Sequence, residues 1–238
     1  MQVGICNQYE SVRQQSVRIC EPLEVEDYLV QPMPDASPPK WHLAHVTWFF
    51  ETFVLKPFLP GYQPFSIAYE VIFNSYYNGV GEQHPRAKRG LLSRPTVADI
   101  FDYRAYVDRH MESLLVGKIS PEVSFRTTLG LHHEQQHQEL LFTDLKYNLG
   151  HNPLSPMYQQ GKPVPDVQPQ TLNFQEFSGG IYQIGVNAGD GFAFDNESPR
   201  HDVLIRDFCL SNRLVTNAEF IEFMEDGGYQ RPELWLAD

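Results

Sequence analysis

Cysteine is scarce in this 238-residue chain: Cys6, Cys20 and Cys209 are odd in number, far apart and free of any C-x-x-C spacing. That excludes a disulfide framework and a zinc ribbon, and it fits a reducing cytosol. Positive charge is in deficit as well, with Lys+Arg 18 against Asp+Glu 30 and a formal net charge of −12. Such a balance argues against nucleic acid or an anionic membrane surface as the main partner. The deficit is uneven, with 13 bases and 17 acids in residues 1–150 (−4) and 5 and 13 after them (−8). No apolar run approaches the ~20 residues of a membrane span, and the longest, around Val46 to Leu55, is broken by Glu51 and Thr52. The opening MQVGICNQYESVRQQ has no basic stretch followed by an apolar one, so no secretory leader is expected and the expected location is the cytoplasm. A phosphate loop, a dinucleotide glycine pattern and a serine-nucleophile elbow are also missing.

What is present is an ordinary globular composition, 42% hydrophobic and 20% charged. Its periodicity changes along the chain. Up to residue 150 it is helical, with segments expected at Ser11–Cys20, Ser37–Leu55, Thr96–Leu115 and Pro121–Leu149, and a shorter piece within Ala68–Tyr77. Ser120 before Pro121 reads as a helix N-cap followed by proline at the first helical position, and Gly150 as the stop. These helices predict an up-down bundle over 1–150. Residues 151–171 carry five prolines and read as a linker or extended strap. Beyond them Phe177–Val186 and His201–Leu210 alternate in part as half-buried strands, and Thr216-Asn-Ala-Glu219 is a capping-box spacing that opens a short helix. The expected class is therefore α+β, a helical bundle followed over 172–238 by a small mixed segment.

Chemistry concentrates in two places. His133 and His137 lie four apart on one helix, so both rings project from the same face and can share a metal. A histidine from a neighbouring helix, His42 or His45 in WHLAH, can complete a three-histidine site. Spacing does not choose between them. His133-Glu134-Gln135-Gln136-His137 also matches H-E-x-x-H, the zinc-protease helix, but Leu140 and Thr143 stand where the extended metzincin motif needs glycine and histidine. The second place is basic: Arg86, Lys88, Arg89 and Arg94 occur with no acid between Gln83 and Ala98. Arginine's planar fork suits carboxylates, so a small anionic substrate could dock there, the alternative being a solvated loop.

The segments SPPKWHLAHVTWFFETFVL, FNSYYNGVG, HPRAKRGLLSRP and LGLHHEQQHQELLFTDLKYNLGHNPL together resemble the DinB-type N-terminal domain of the ergothioneine-biosynthesis sulfoxide synthases (EgtB). FSGGIYQIGV, FAFDNESPRH and VTNAEFIEFMEDGGYQRPELWL resemble the start of that family's second domain, of the formylglycine-generating-enzyme (FGE-sulfatase, C-type-lectin-like) fold. The resemblance implies a non-haem iron(II) enzyme that uses dioxygen to join the sulfur of cysteine or γ-glutamylcysteine to the imidazole C2 of hercynine. It implies His45, His133 and His137 as iron ligands, and Arg86 and Arg89 as carboxylate-holding residues for the thiol substrate. The family's catalytic tyrosine is expected beyond residue 238, in a continuation or in a partner chain that supplies the remainder. Two other readings are a DinB-fold zinc- or nickel-dependent thiol transferase and a catalytically silent metal-binding fragment.

Overall fold

A computed structural model of the chain describes residues 2–161, 170–187 and 189–236. It divides into two compact units, Met1–Gly161 and Lys162–Asp238. No described helix is long and apolar enough to cross a membrane.

The first unit is built on α1 (Gln2–Cys20), α2 (Pro39–Phe50), α5 (Val97–Leu115) and α6 (Pro121–Gly150). Two of the starts follow from side-chain caps. Ser120 Oγ accepts from the Val123 N–H, and the Thr96 hydroxyl accepts from the Asp99 N–H while Asp99 Oδ2 accepts from the Thr96 N–H. These bonds satisfy amides that a helix N-terminus otherwise leaves unpaired. α1 begins nine residues before the expected Ser11, because Ile5 and Tyr9 extend by two turns the inward stripe of Arg13, Ser16, Ile19 and Cys20.

α2 is the centre of the unit, with all twelve of its residues buried. Glu51 and Thr52, which interrupt the apolar run but lie within the expected helix, continue it as a π-helical turn, Glu51–Leu55, into the short α3 (Lys56–Phe58). Glu51 can be buried because its carboxylate accepts from Tyr62 Oη, Tyr103 Oη and the Phe65 N–H at 2.7, 2.7 and 2.9 Å. α2 packs against both α5 and α6. Its approach to α6 depends on Gly130, where a Cβ would lie 2.6 Å from Phe50 Cε1 and 2.9 Å from Phe49 Cε1. Gly130→Ala is therefore expected to lower the urea midpoint, by about 1–3 kcal/mol of overpacking.

Between α2 and α5 runs a loop holding α4 (Tyr69–Ile72) and a 3₁₀ segment, Arg86–Leu91. Asn74 organises it, its amide donating to the carbonyls of Tyr77, Gly81 and Glu82. The proline-rich stretch expected over 151–171 falls partly on 162–169, outside the described residues. Its first part folds back on the bundle, with Tyr158 Oη donating to the Ile19 carbonyl at 2.6 Å.

The second unit contains β1 (Phe174–Phe177), β2 (Gly180–Ile184), β3 (His201–Ile205), β4 (Phe208–Ser211) and α7 (Asn217–Glu225). Two long strands were expected; four short ones are found among the described residues. β1 pairs with β4 and β2 with β3, antiparallel, in one register from Phe174↔Ser211 to Ile184↔His201. The interruption lies at Ser178-Gly179 and Arg206-Asp207. Here Asp207 Oδ1 takes the Gly179 N–H at 2.6 Å, and a Cβ on Gly179 would sit 2.5 Å from the Ile205 carbonyl oxygen. A side-chain acceptor thus replaces a ladder bond. α7 starts at the expected Thr216–Glu219 capping box.

Candidate metal centre

His45 sits in the middle of α2, sandwiched by the residues one turn before and after it. Its ring stacks on Trp41 (centroids 4.6 Å apart, 12° between planes) and on Trp48 (5.5 Å, 15°). Its Nδ1 lies 2.6 Å from the Phe73 carbonyl in the covering loop. A carbonyl only accepts, so Nδ1 carries the hydrogen and Nε2 is left with a lone pair.

His133 and His137 face His45 from α6. The three ring centroids form a near-equilateral triangle of 4.7, 4.8 and 5.0 Å, and one nitrogen from each ring lies within 4.8 Å of the others. Burial and the neighbouring rings hold the pKa of His45 and of His137 well below the ordinary histidine value; burial alone brings His133 to about 4 despite the adjacent Glu134. The rings are thus neutral at physiological pH, the form that binds metal. His133 Nδ1 is buried with no hydrogen-bond partner among the described residues. Three neutral imidazoles and an orphaned buried nitrogen fit a divalent transition metal, since imidazole serves zinc, copper, iron and nickel alike.

His42, the other histidine of WHLAH, lies against His137, its Nδ1 2.8 Å from His137 Nδ1 and its Nε2 2.9 Å from Asp144 Oδ2. Sequence reasoning missed Asp144, although its place seven residues after His137 puts it two helical turns along the same face.

Glu134 points away from the histidines. Its carboxylate is fully buried against Arg13, Arg104 and Ser16, at 2.9, 3.2 and 2.7 Å. Burial alone would raise its pKa; Arg13 and Arg104 outweigh it and bring the group to about 2. Here the glutamate of H-E-x-x-H is the anion of a core network, not a base beside a metal.

The two arginines differ. Arg89 is buried, its guanidinium 3.3 Å from the Trp41 ring centroid, with Nη1 donating to Ser37 Oγ and Nη2 to Ser75 Oγ at 2.9 and 3.0 Å. Its Nε has no hydrogen-bond partner among the described residues, and burial with nearby Arg86 lowers its pKa to about 10, so it stays cationic at neutral pH. Arg86 is exposed, bonded to Tyr76 Oη at 2.7 Å and to the Asp35 carbonyl. Cys20 is buried and inert, its thiol pushed up to about 12 by burial.

Residues 8–141 match the family model of the DinB superfamily. The chain belongs to the DinB superfamily. Behind its DinB domain, residues 160–237 match a sulfatase-modifying factor enzyme 1-like domain. Among curated proteins, the DinB chain is similar to the hercynine oxygenase of Mycolicibacterium smegmatis, 33% identical over 85% of this chain and 46% of the relative. It is likewise similar to that of Mycobacterium tuberculosis, 29% identical over 85% of this chain and 46% of the relative. Over 69 residues the chain is also similar to the formylglycine-generating enzyme of Streptomyces coelicolor, 33% identical across 29% of this chain and 22% of the relative. The chain spans about half the length of the hercynine oxygenases it matches.

Proposed function

We propose that this chain is the metal-binding portion of an iron(II)- and dioxygen-dependent sulfoxide synthase, joining the sulfur of cysteine or γ-glutamylcysteine to the imidazole C2 of hercynine. The observation that carries the reading is the triangle of His45, His133 and His137 within a chain similar to hercynine oxygenases along 85% of its length. In this reading residues 1–150 are the DinB-like bundle, 151–171 the linker, and 172–238 the first part of an FGE-like domain. The rest of that domain, with the catalytic tyrosine, comes from further sequence or from a partner chain. The three unpaired cysteines suit a reducing cytoplasm.

Bound at the triad, iron(II) would supply a Lewis-acidic, redox-active centre for the thiol and dioxygen. The chain's own residues do the rest. The Trp41 and Trp48 rings hold His45 in plane and keep water from its faces. Arg89 and Arg86 place positive charge beside the site for the carboxylates of an amino-acid thiol. The Arg89 guanidinium is already oriented by two serines and an indole, so its Nε–H is the donor left over for a ligand.

The test is metal content and anaerobic titration with hercynine and each thiol, followed by oxygen and mass spectrometry of the product. Iron near one per chain with a sulfoxide adduct establishes the synthase. Iron without product, converted to turnover by adding the missing half of the second domain, establishes the metal-binding portion. A preference for zinc or nickel without dioxygen dependence would support a DinB-fold thiol transferase instead; silence under all of these would leave a non-catalytic metal-binding fragment. Arg86→Ala is expected to weaken thiol binding about tenfold, the loss of one charge-assisted bond, with metal content unchanged. Unaltered thiol affinity in that variant would make the basic loop a solvated face.

A further inference from the structure

His133 and His137 are each followed by a residue that turns to a different helix. Glu134 and Gln138 are also four apart, so they share a face of α6 about 100° round from the two rings. Both meet Ser16 of α1. Ser16 Oγ donates to Glu134 Oε1 at 2.7 Å, and Gln138 Nε2 donates to Ser16 Oγ at 3.0 Å and to the Val12 carbonyl at 2.8 Å. The directions follow from the acceptors. A carbonyl has no hydrogen to give, which puts the amide nitrogen of Gln138 at this point, and the Glu134 carboxylate takes the hydroxyl hydrogen. The contact of α6 with α2 has a different character. There the Phe49 and Phe50 rings leave no room for a Cβ on Gly130, and the His133 ring faces Phe49 at 4.8 Å. Apolar rings against a glycine set how closely two helices approach, but they supply no directional bond and leave rotation about the axis soft.

We propose that Ser16 and Gln138 are positioning residues that fix the rotation of α6 about its own axis, and with it the aim of His133 and His137 at His45. The inference rests on the reading of the triad as a metal site. Side chains reach roughly 5–6 Å from a helix axis, so a turn of about 10° carries a ring by about 1 Å. A binding constellation has to be held within about 0.5 Å. The bonds to Ser16 resist such a turn at both ligands together, because Glu134 and Gln138 each stand one residue from a histidine. His45 is placed by other means, the Phe73 carbonyl and two stacked indoles. Thus α1, which contributes no histidine to the triad, sets the aim of the two that α6 contributes.

The experiment uses the full chain. Ring-to-ring nuclear Overhauser effects in the metal-free protein, His133 to Phe49 and His137 to His45, read the aim of the rings. Anaerobic cobalt(II) titration against a chromophoric chelator reads affinity, and the cobalt d–d spectrum reads ligand geometry. In the double variant Ser16→Ala/Gln138→Leu the ring effects should weaken and the d–d bands should shift. Cobalt should bind about tenfold more weakly at a stoichiometry still near one, the low end of the 10–100-fold that supports around metal ligands contribute. Tyr9→Phe is the control: it removes a bond from α1 to Asp108 on α5 and should lower the urea midpoint without moving any of the three readouts. Should the double variant fail to fold, Gln138→Leu alone, at a half-buried position, makes the same comparison. Unchanged ring effects and affinity on removal of these bonds would overturn the proposal. So would an equal loss in Tyr9→Phe, since general loosening of α1 would then suffice. Failure of the unaltered chain to bind cobalt or iron would instead sink the metal-site reading, while the ring effects would still decide whether Ser16 and Gln138 aim the rings.

Discussion

Replacing His133 or His137 by alanine is expected to take bound iron from near one per chain to near none, while His42→Leu keeps the stoichiometry at saturating metal. The contrast follows from position. His133 and His137 are two corners of a ring triangle 4.7 to 5.0 Å on a side, whereas His42 is not among the three histidines whose nitrogens converge. Three protein ligands are few for a metal site, and with two left the ion competes poorly against water. Metal analysis after anaerobic reconstitution and desalting decides it. Iron retained at full stoichiometry by His137→Ala would remove that residue from the site.

The second large effect is expected far from the histidine rings. Glu134→Ala leaves Arg13 and Arg104, both buried, without the carboxylate they share, a change that typically costs about 3–5 kcal/mol. Against a usual stability of about 5–15 kcal/mol this is severe. Glu134→Gln keeps the shape and one acceptor and should cost less. The pH dependence has a definite sign. The carboxyl titrates near 2 in the folded chain against 4.5 ordinarily, so its contribution is fully present above about 4.5 and is lost as pH falls from there toward 2. Urea unfolding between pH 7 and 3 should show a steeper acid loss for the unaltered chain than for Glu134→Ala. A metalloprotease base would behave differently: its replacement abolishes catalysis and leaves stability nearly untouched.

Much of the bundle was legible because its signals are local. Ser120 before Pro121 in the bundle, and Thr216 with Glu219 in the second unit, each mark a helix start within four residues, and each is found as a cap in the structure. What stayed hidden depends on partners distant in sequence. The first turns of α1 look unpromising until Tyr9 is seen to meet Asp108. Glu51 breaks an apolar run on paper, yet three donors from Tyr62, Phe65 and Tyr103 make it a core residue. The single long strand expected at Phe177–Val186 begins earlier and is interrupted, because Asp207 lies across from Gly179. At the site, i,i+4 spacing shows that His133 and His137 share a face but cannot choose between His42 and His45. That choice came from the family resemblance. The Asp144–His42 pairing needed coordinates.

The burial of α2 on every side also bears on the order of events in folding. His45 reaches its place only once α5, α6 and the loop carrying Phe73 have closed around it, so one of the three ligands is placed late in collapse. His133 and His137, by contrast, are neighbours as soon as one helix forms. An ion present during refolding can meet a two-histidine helix early, but the third ligand arrives with the completed core. Capture of the metal by all three rings would then time the final closure of the bundle rather than its nucleation.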